Sequence, residues 1–442
     1  MKRFIPVLLI PCLAQGIVAQ GPGAGTASDT AMRPISLQEA VQLAQRNMPA
    51  AVQARGQLRT TSAAVRSSYA AFLPSLNGSM GQSKQAGQRF NNSGELVPYV
   101  AQPWSFSTGV NANLQVFDGG RRFADLRAAR ADVHAAEANE TAQSFNIALQ
   151  VKTQYANILA ARESEAAARA QLGQAQQQFA AASARVRAGA ATMSDSLRSV
   201  IQVGNARLSL ITAQNNLRVA SATLTRLVGT PFLVTANPAD TIDRPISPVD
   251  SLELAQLAGN GPAVQQAEAQ VASAHAAERA SRTSYLPTVN LSYSYNGSGF
   301  DKYYGIGGGQ LAYSNNLSLR LSYPIFDNFN REENVTRAAV ASDNADATLR
   351  DARLAAQQQI IQQLGALRTA EERIRIQQVS VASAIEDLRV QQQRYNLGAS
   401  TLLDLLTSQT TLDQQRAALI QARQDYRIAR AQIEAIIGRD LQ

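Results

Sequence analysis

Two kinds of hydrophobic periodicity alternate along this chain, and each kind occurs in two separate regions. In the segment 288–296, apolar residues occupy every second position, which is the period of a strand with one apolar face. The same alternation, weakest after Pro74, predicts four strands, at about 74–88, 104–117, 287–297 and 313–326. Apolar residues spaced three and four apart predict four long helices, at 121–187, 193–229, 330–396 and 402–438.

The long helical regions have the spacing of coiled coils. The first and third of them each run for about 67 residues without proline, or roughly 100 Å at the rise of an α-helix. In the third, the apolar seam consists of Ile360, Leu364, Leu367, Ile374, Val381, Ile385, Leu388 and Tyr395. The two shorter helices carry a matching seam, so each long helix is predicted to pair with the one that follows it. Shorter helices precede each pair of strands, and Ser36 with Glu39 has the spacing of a capping box at the first of them.

The hairpins belong to an internal repeat. RVRAGAATMSDSL begins at Arg185 and RYNLGASTLLDLL begins at Arg394, an offset of 209 residues at every matched position. Two further pairs of segments repeat in the same order: FLPSLN at Phe72 with YLPTVN at Tyr285, and VFDGGRR at Val116 with IFDNFNR at Ile325. The chain is therefore predicted to hold two copies of one unit.

The repeat fixes the predicted organisation. The first unit covers 36–229 and the second covers 251–442, with a proline-containing linker at 230–250. In each unit the order is short helices, two strands, a long helix, a tip and a returning helix. The predicted tips are at 188–192 and 397–401.

The N-terminus has the features of an export signal. Lys2 and Arg3 precede a short apolar core, which predicts a signal peptide at 1–20 followed by a linker at 21–35. Cys12 is the single cysteine, and Pro11 before it disfavours a lipid-attachment site. No later stretch approaches the ~18 apolar residues of a membrane-spanning helix. The mature chain is expected to be exported without such a helix.

Composition argues against several classes of function. The chain of 442 residues carries a net charge of +8, but no block of lysine and arginine interleaved with aromatic residues, so nucleic-acid binding is not expected. His134 and His275 have no ligand partners at metal spacing, so no metal or other cofactor is expected. No Ser/His/Asp grouping or pair of carboxylates indicates an enzyme.

The predicted strands present a problem of closure. Four strands with one apolar face cannot close a barrel, and a lipid bilayer tolerates no open sheet edge. Either several chains share one membrane barrel, or a small soluble sheet caps a helical rod. Alternation alone leaves both possibilities open.

The order and double occurrence of these motifs resemble the TolC-like outer-membrane factors of bacterial efflux and secretion systems. The resemblance extends from Ser36 to Gly438. It implies a mixed α/β membrane channel: a homotrimer with a twelve-stranded barrel in outer-membrane lipid and a coiled-coil tunnel across the periplasm. It also implies docking to a periplasmic adaptor and, through that adaptor, to an inner-membrane pump. Protein export by a type I secretion system and a soluble periplasmic coiled-coil scaffold remain alternatives.

The resemblance also implies roles for individual residues at the tips. The expected adaptor-facing positions are Ala188, Gly189, Ala190, Leu397, Gly398 and Ala399. Asp404 matches the first residue of an acidic ring at the entrance, and Thr407 stands where a second acid would lie. Asp195 and Tyr395 match partners in a latch that holds the entrance closed, although Ser400 replaces the latch arginine.

Some of these residues have a second interpretation. Asp195 and Asp404 each follow a threonine by three residues, as helix-capping residues do. Tyr395 is also a position of the coiled-coil seam. Arg320 lies on the polar face of its strand and is expected to face the lumen of the channel.

Overall fold

The computed structural model describes residues 32–84, 87–98, 104–189, 191–240, 251–301 and 311–441. The helices are α1 Leu37–Asn47, α2 Pro49–Ala70, α3 Arg121–Arg187, α4 Met193–Val228, α5 Ser251–Ala258, α6 Pro262–Arg282, α7 Asn330–Asn396 and α8 Leu402–Ile437. The strands are β1 Arg33–Ile35, β2 Ser75–Ser83, β3 Gln88–Phe90, β4 Leu96–Pro98, β5 Trp104–Phe117, β6 Val234–Ala236, β7 Thr288–Asp301 and β8 Ala312–Ser322. The predicted signal peptide, most of the linker at 21–35, Ala190 and residues 241–250 lie outside the described residues.

Two helical hairpins of equal length dominate the fold. Helices α3 and α7 have 67 residues each, and α4 and α8 have 36 residues each. The returning helices end at Gly229 and Gly438, both in the left-handed conformation that glycine adopts without steric cost. Each hairpin therefore starts, turns and stops at equivalent positions of the repeat.

The predicted seam of the second hairpin is largely buried. Ile360, Leu367 and Leu388 of α7 pack into two apolar clusters with residues of α8. The prediction is wrong at Ile385, whose side chain is 47% exposed, while the preceding Ala384 is 6% exposed. At this point the buried stripe of α7 passes through Val381, Ala384 and Leu388, so Ile385 lies beside the stripe rather than in it.

A parallel pair of short strands joins the two segments predicted as linkers. β1 pairs with β6, where the sequence predicted only linker at 21–35 and 230–250. Tyr155 of α3 is fully buried beside this pair. Its hydroxyl donates to Asp240 at 2.6 Å and accepts from the N–H of Asn237 at 2.9 Å. These buried hydrogen bonds of Tyr155 with Asp240 and Asn237 hold the end of the first unit against α3.

The four long strands form one antiparallel sheet in the order β2-β5-β7-β8. On one face the register pairs Leu291 with Leu319 and Tyr293 with Leu317; Leu291 is half-buried, and the other three side chains are exposed within the chain. The opposite face is polar and includes a hydrogen bond of 2.6 Å between the hydroxyls of Ser292 and Ser318. The alternation predicted from the sequence therefore produces one apolar and one polar face.

The strand ends differ from the prediction. β2 stops at Ser83, before the predicted end at about residue 88, and a separate hairpin of β3 and β4 lies between it and β5, where no strand was predicted beyond residue 88. β7 continues past its two glycines to Asp301, because β5 pairs along this whole length. β8 ends at Ser322, two residues before Pro324, which has no N–H for the ladder. Residues 302–310, between β7 and β8, lie outside the described residues.

The repeated FD motif connects the sheet to the long helices. Asp118 is buried and accepts from the N–H groups of Gly120 and Arg122, both at 3.0 Å. The Arg122 guanidinium lies over the ring of Phe72, 5.1 Å from its centroid. The second unit repeats this arrangement, with Arg331 beside Asp327 and over the ring of Tyr285. The motif therefore recurs because each unit must turn from a strand into a long helix.

Among the described residues, no helix combines the length and apolar character needed to cross a membrane.

Candidate functional site

The two tips have closely related backbone geometry. Gly398 follows α7 with φ of +74°, and its N–H donates to the carbonyl of Tyr395 at 3.1 Å. The next N–H, of Ala399, donates to the carbonyl of Arg394 at 2.8 Å. These two bonds form a Schellman motif, which satisfies carbonyls at the end of the helix. Gly189 follows α3 with φ of +72° and repeats the first bond, to Val186.

A capping box starts each returning helix. The Thr401 hydroxyl accepts from the Asp404 N–H at 3.2 Å, and the Asp404 carboxylate accepts from the Thr401 N–H at 3.0 Å. Thr192 and Asp195 repeat this arrangement at the start of α4. The interpretation of both aspartates as helix-capping residues is confirmed, and it leaves the second carboxylate oxygen of each available for other contacts.

Ser400 also contacts the Asp404 carboxylate. Its hydroxyl lies 3.2 Å from Asp404 Oδ2, and also 3.2 Å from the side-chain oxygen of Gln391. Hydrogen bonds from the Thr401 hydroxyl, the Thr401 N–H and Ser400 lower the pKa of Asp404, so this exposed carboxyl is ionised at neutral pH. Thr407 is exposed, and its hydroxyl bonds the carbonyl of Leu403 one turn earlier.

The expected latch partners Asp195 and Tyr395 are not hydrogen-bonded to each other within the described part of the chain. The Asp195 carboxylate accepts from the Thr192 hydroxyl at 2.8 Å instead, because it is directed back to the N-terminus of its own helix. Tyr395 is half-buried against the apolar cluster at the end of the second hairpin, which confirms its role in the seam. Asp195 therefore contacts the start of its own helix, and Tyr395 packs into the seam of the second hairpin.

Arg185 contacts Tyr395 and joins the two tips. Its Nη1 donates to the Tyr395 carbonyl at 3.0 Å, and its guanidinium lies over the tyrosine ring at 4.7 Å from the centroid. We call this contact the Arg185–Tyr395 bridge. In the sequence, Arg185 is distinguished only as the first residue of the repeated motif. The bridge forms because the end of α3 lies beside the end of α7. No sequence pattern within either helix predicts this arrangement.

The tips also expose apolar side chains. Leu397, at the end of α7, is 85% exposed, and Met193 and Leu403, at the starts of α4 and α8, are also largely uncovered. Ala188 directly follows α3, and its N–H donates to the Ala184 carbonyl. Uncovered apolar side chains are therefore present at both tips.

The sequence profile of the outer membrane efflux protein family matches residues 40–230 and 254–439 of this chain. The two matched segments correspond to the two units of the repeat and together cover most of the chain. The chain belongs to the outer membrane efflux protein family.

Two curated relatives in this family align over most of the chain. The pyoverdine export outer membrane protein OpmQ of Pseudomonas aeruginosa is 26% identical over 373 residues, which are 80% of this chain and 74% of OpmQ. Protein CyaE of Bordetella pertussis is 30% identical over 339 residues, which are 73% of this chain and 66% of CyaE. The crystal structure of CusC matches in fold with a TM-score of 0.76 and 19% identity, covering 94% of this chain and 96% of CusC.

Membership of the outer membrane efflux protein family locates the protein in the outer membrane, with its helices extending into the periplasm. This location contradicts the alternative of a soluble periplasmic scaffold. The family is one of outer-membrane channels rather than enzymes. Within the described part of the chain, no group of three His, Cys, Asp or Glu side chains could hold a metal ion.

Two further charged residues lie away from the tips, Lys152 among the helices and Arg320 in the sheet. Lys152, in a cleft of about 550 Å³ between α1, α3 and α8, lies 2.6 Å from Glu434 and also bonds Asp440. Arg320 is exposed in β8, directly opposite Asn290 of β7 on the polar face of the sheet. It lies on the face expected for a lumen residue.

Proposed function

We propose that three copies of this chain form an outer-membrane channel that serves as the exit duct of a tripartite efflux pump. The observation that carries this proposal is the four-stranded sheet. Its outer strands, β2 and β8, each have a neighbour on one side only, and one of its faces is apolar and uncovered. Such a sheet is stable in lipid only when further strands complete it.

Three copies supply the missing strands. Twelve strands close a barrel in which the apolar face meets lipid and the polar face lines the lumen. Arg320 and the serine-rich face would then contact water and solutes that pass through. The long hairpins would continue the lumen into the periplasm, because α3 and α7 follow directly from the strands through the FD motif.

We further propose that the tips form the periplasmic entrance. Six tips, two from each chain, would surround this opening, with Asp404 contributing three carboxylates. Leu397 and the other uncovered tip residues would contact a periplasmic adaptor that carries the inner-membrane pump. The Arg185–Tyr395 bridge would favour the closed arrangement, and adaptor docking would favour the open one through its own differential contacts.

The sheet faces provide a direct test. Leu319→Lys inserts a charge into the proposed lipid face of β8, whereas Asn316→Lys adds the same charge to the polar face of the same strand. A charge near the bilayer midplane costs about 2–4 kcal/mol, so Leu319→Lys should greatly reduce the folded channel recovered from outer membranes. Asn316→Lys should leave its yield close to normal.

Oligomeric state and conduction complete the test. Native mass spectrometry of detergent-solubilised protein should give a trimer, and the same preparation should conduct ions in planar bilayers. A stable monomer with an intact sheet, or equal tolerance of lysine on both faces, would contradict the proposed channel.

A further inference from the structure

The polar face of the four-stranded sheet carries almost no charge. On β2 and β5 the side chains of this face are those of serine, asparagine, glutamine and glycine. On β7 and β8 they are those of serine, asparagine and threonine, apart from Phe300 and Ala312 at the end of the sheet far from the helices. Arg320 is the one charged side chain on the polar face of these described strands.

The immediate neighbours of Arg320 are neutral hydrogen-bonding groups. Arg320 lies opposite Asn290 of β7, and Asn290 lies opposite Gln115 of β5, so this row of the sheet holds one charge beside two amides. Ser318 and Ser322 precede and follow Arg320 on the same face of β8. Amides and hydroxyls can donate hydrogen bonds to an anion, and none of them neutralises the arginine.

The guanidinium of Arg320 is not engaged in holding the fold. Within the part of the chain that the structure describes, it is exposed and has no hydrogen-bond or ion-pair partner. Two arginines where the sheet joins the long helices differ from it. Arg122 Nε lies 2.8 Å from Asp118, and Arg331 Nε lies 3.0 Å from Asp327. Because each of these carboxylates is already paired, neither balances the charge of Arg320.

The chemistry of such an arginine favours a carboxylate as its ligand. A guanidinium presents five N–H donors in a planar fork, which binds a carboxylate through two parallel hydrogen bonds. A structural arginine uses this fork on groups of its own chain, as Arg122 and Arg331 do. Arg320 instead leaves the whole fork accessible to solutes, beside side chains that can donate further hydrogen bonds.

We propose that Arg320 makes this channel selective for anionic solutes, and that small molecules bearing carboxylate groups are its favoured cargo. The proposal rests on the trimeric channel proposed above, in which the polar face of the sheet lines the lumen. Threefold symmetry places three copies of Arg320 at one level of the barrel. We call these three side chains the Arg320 ring. Rings of arginine or lysine side chains give pores a preference for anions.

The Arg320 ring acts separately from the acidic tips. Arg320 lies close to the end of β8 at Ser322, after which the chain continues into α7, so the ring lies where the barrel joins the helices. Asp404 lies beyond the opposite end of α7. This helix has 67 residues and is roughly 100 Å long, which is about ten Debye lengths in 0.1 M salt. The two sets of charges therefore do not screen each other.

Reversal potentials in a salt gradient test the Arg320 ring. The measurement uses an Asp404→Asn background, so that the carboxylates at the tips do not contribute to selectivity. This protein should favour anions. Adding Arg320→Gln removes the charge and keeps an amide, and should lower the ratio of anion to cation permeability about two- to five-fold in 0.1 M salt. In 1 M salt, where the Debye length is about 3 Å, the difference should largely disappear.

Rescue from a second position separates charge from structure. Asn316 lies on the same face of β8, opposite Ser294. Adding Asn316→Arg to the Arg320→Gln protein should restore the preference for anions, because it rebuilds the ring at another level. Asn316→Gln is the matched control and should leave the permeability ratio unchanged. A ratio that falls with Arg320→Gln but is not restored by Asn316→Arg would overturn the proposal, because it would indicate a structural role for Arg320.

Current block measures the preference for carboxylates directly. Benzene-1,3,5-tricarboxylate should block the Asp404→Asn channel at a concentration about ten-fold lower than when Arg320→Gln is added. The uncharged benzene-1,3,5-tricarboxamide should block neither protein. In a conducting trimer, an unchanged permeability ratio and equal block would overturn the role of Arg320 and leave the channel standing. A native protein that forms no conducting trimer would overturn the channel and the Arg320 ring together.

Discussion

Replacing Arg185 by alanine removes the Arg185–Tyr395 bridge while leaving the backbone of both tips unchanged. If this bridge holds the entrance closed, Arg185→Ala should shift the channel towards its open state. The perturbation is specific, because the arginine contacts Tyr395 through two separable interactions: a hydrogen bond to the carbonyl and a stacking contact with the ring.

The magnitude follows from these two contacts. A hydrogen bond from a charged donor contributes about 1.5–3 kcal/mol, and a cation over an aromatic ring contributes about 0.5–1 kcal/mol at an accessible site. Arg185 is half-buried, so the lower part of the combined range applies, at about 2 kcal/mol. That value changes the ratio of open to closed tips about 30-fold.

Single-channel recording in planar bilayers measures this shift as open time and mean conductance. Tyr395→Leu removes the ring but keeps the carbonyl, so its effect should be smaller, about two- to five-fold. Arg394→Ala is the matched control. Arg394 is the repeat equivalent of Arg185, but its guanidinium makes a long hydrogen bond of 3.5 Å to the Ala399 carbonyl of its own tip.

Equal opening by Arg394→Ala and Arg185→Ala would refute the reasoning, because it would mean that any loss of charge at the tips opens the channel. No change with Arg185→Ala would show that the packing of α8 against α3 and α7 holds the entrance closed without this bridge.

Other residues give measurable outcomes. Gly398→Ala should speed amide hydrogen exchange at its tip about five- to thirty-fold, because alanine at this positive φ costs about 1–2 kcal/mol. Gly365→Ala, inside α7, is the control and should not speed exchange at the tip. Equal exchange rates in the two variants would contradict the left-handed turn. Asp404→Asn should reduce cation preference, measured as the reversal potential in a salt gradient, because its lowered pKa keeps the carboxylate charged at neutral pH; an unchanged potential would count against a role in selectivity. Burial raises the pKa of Asp413, so the folded state favours its protonated form and the charged form is a cost above that pKa. Asp413→Asn should therefore raise the melting temperature near neutral pH, and this gain should disappear in acid; a gain independent of pH would exclude titration of Asp413 as its cause.

The helices could be predicted from the sequence because their ends are determined locally. A threonine followed three residues later by aspartate starts α4 and α8, and glycine ends them. The strand ends were less predictable, because they depend on neighbours. Pairing with β5 carries β7 through glycines that would otherwise indicate a turn, and the β1–β6 pair joins segments far apart in the chain.

The candidate site was predictable in its location but not in its contacts. The repeat identified the tips, and a helix period identified Tyr395 as a seam residue. The Arg185–Tyr395 bridge required knowledge of how α3 lies against α7, which is a tertiary property. The same limit applies to Gln409 of α8, a polar residue that is 1% exposed because neighbouring helices cover it.

The equal lengths of the two hairpins constrain how this gene can change. Deleting one residue from α3 would raise its tip by about 1.5 Å and rotate the following surface by about 100°. In a trimer, the three tips that follow α3 would then lie at a different height along the channel axis from the three tips that follow α7. Substitutions can accumulate independently in the two halves, but insertions and deletions are expected only as matched events in both. Related genes should therefore vary widely in sequence along the hairpins and very little in the 67 and 36 residues that separate their ends.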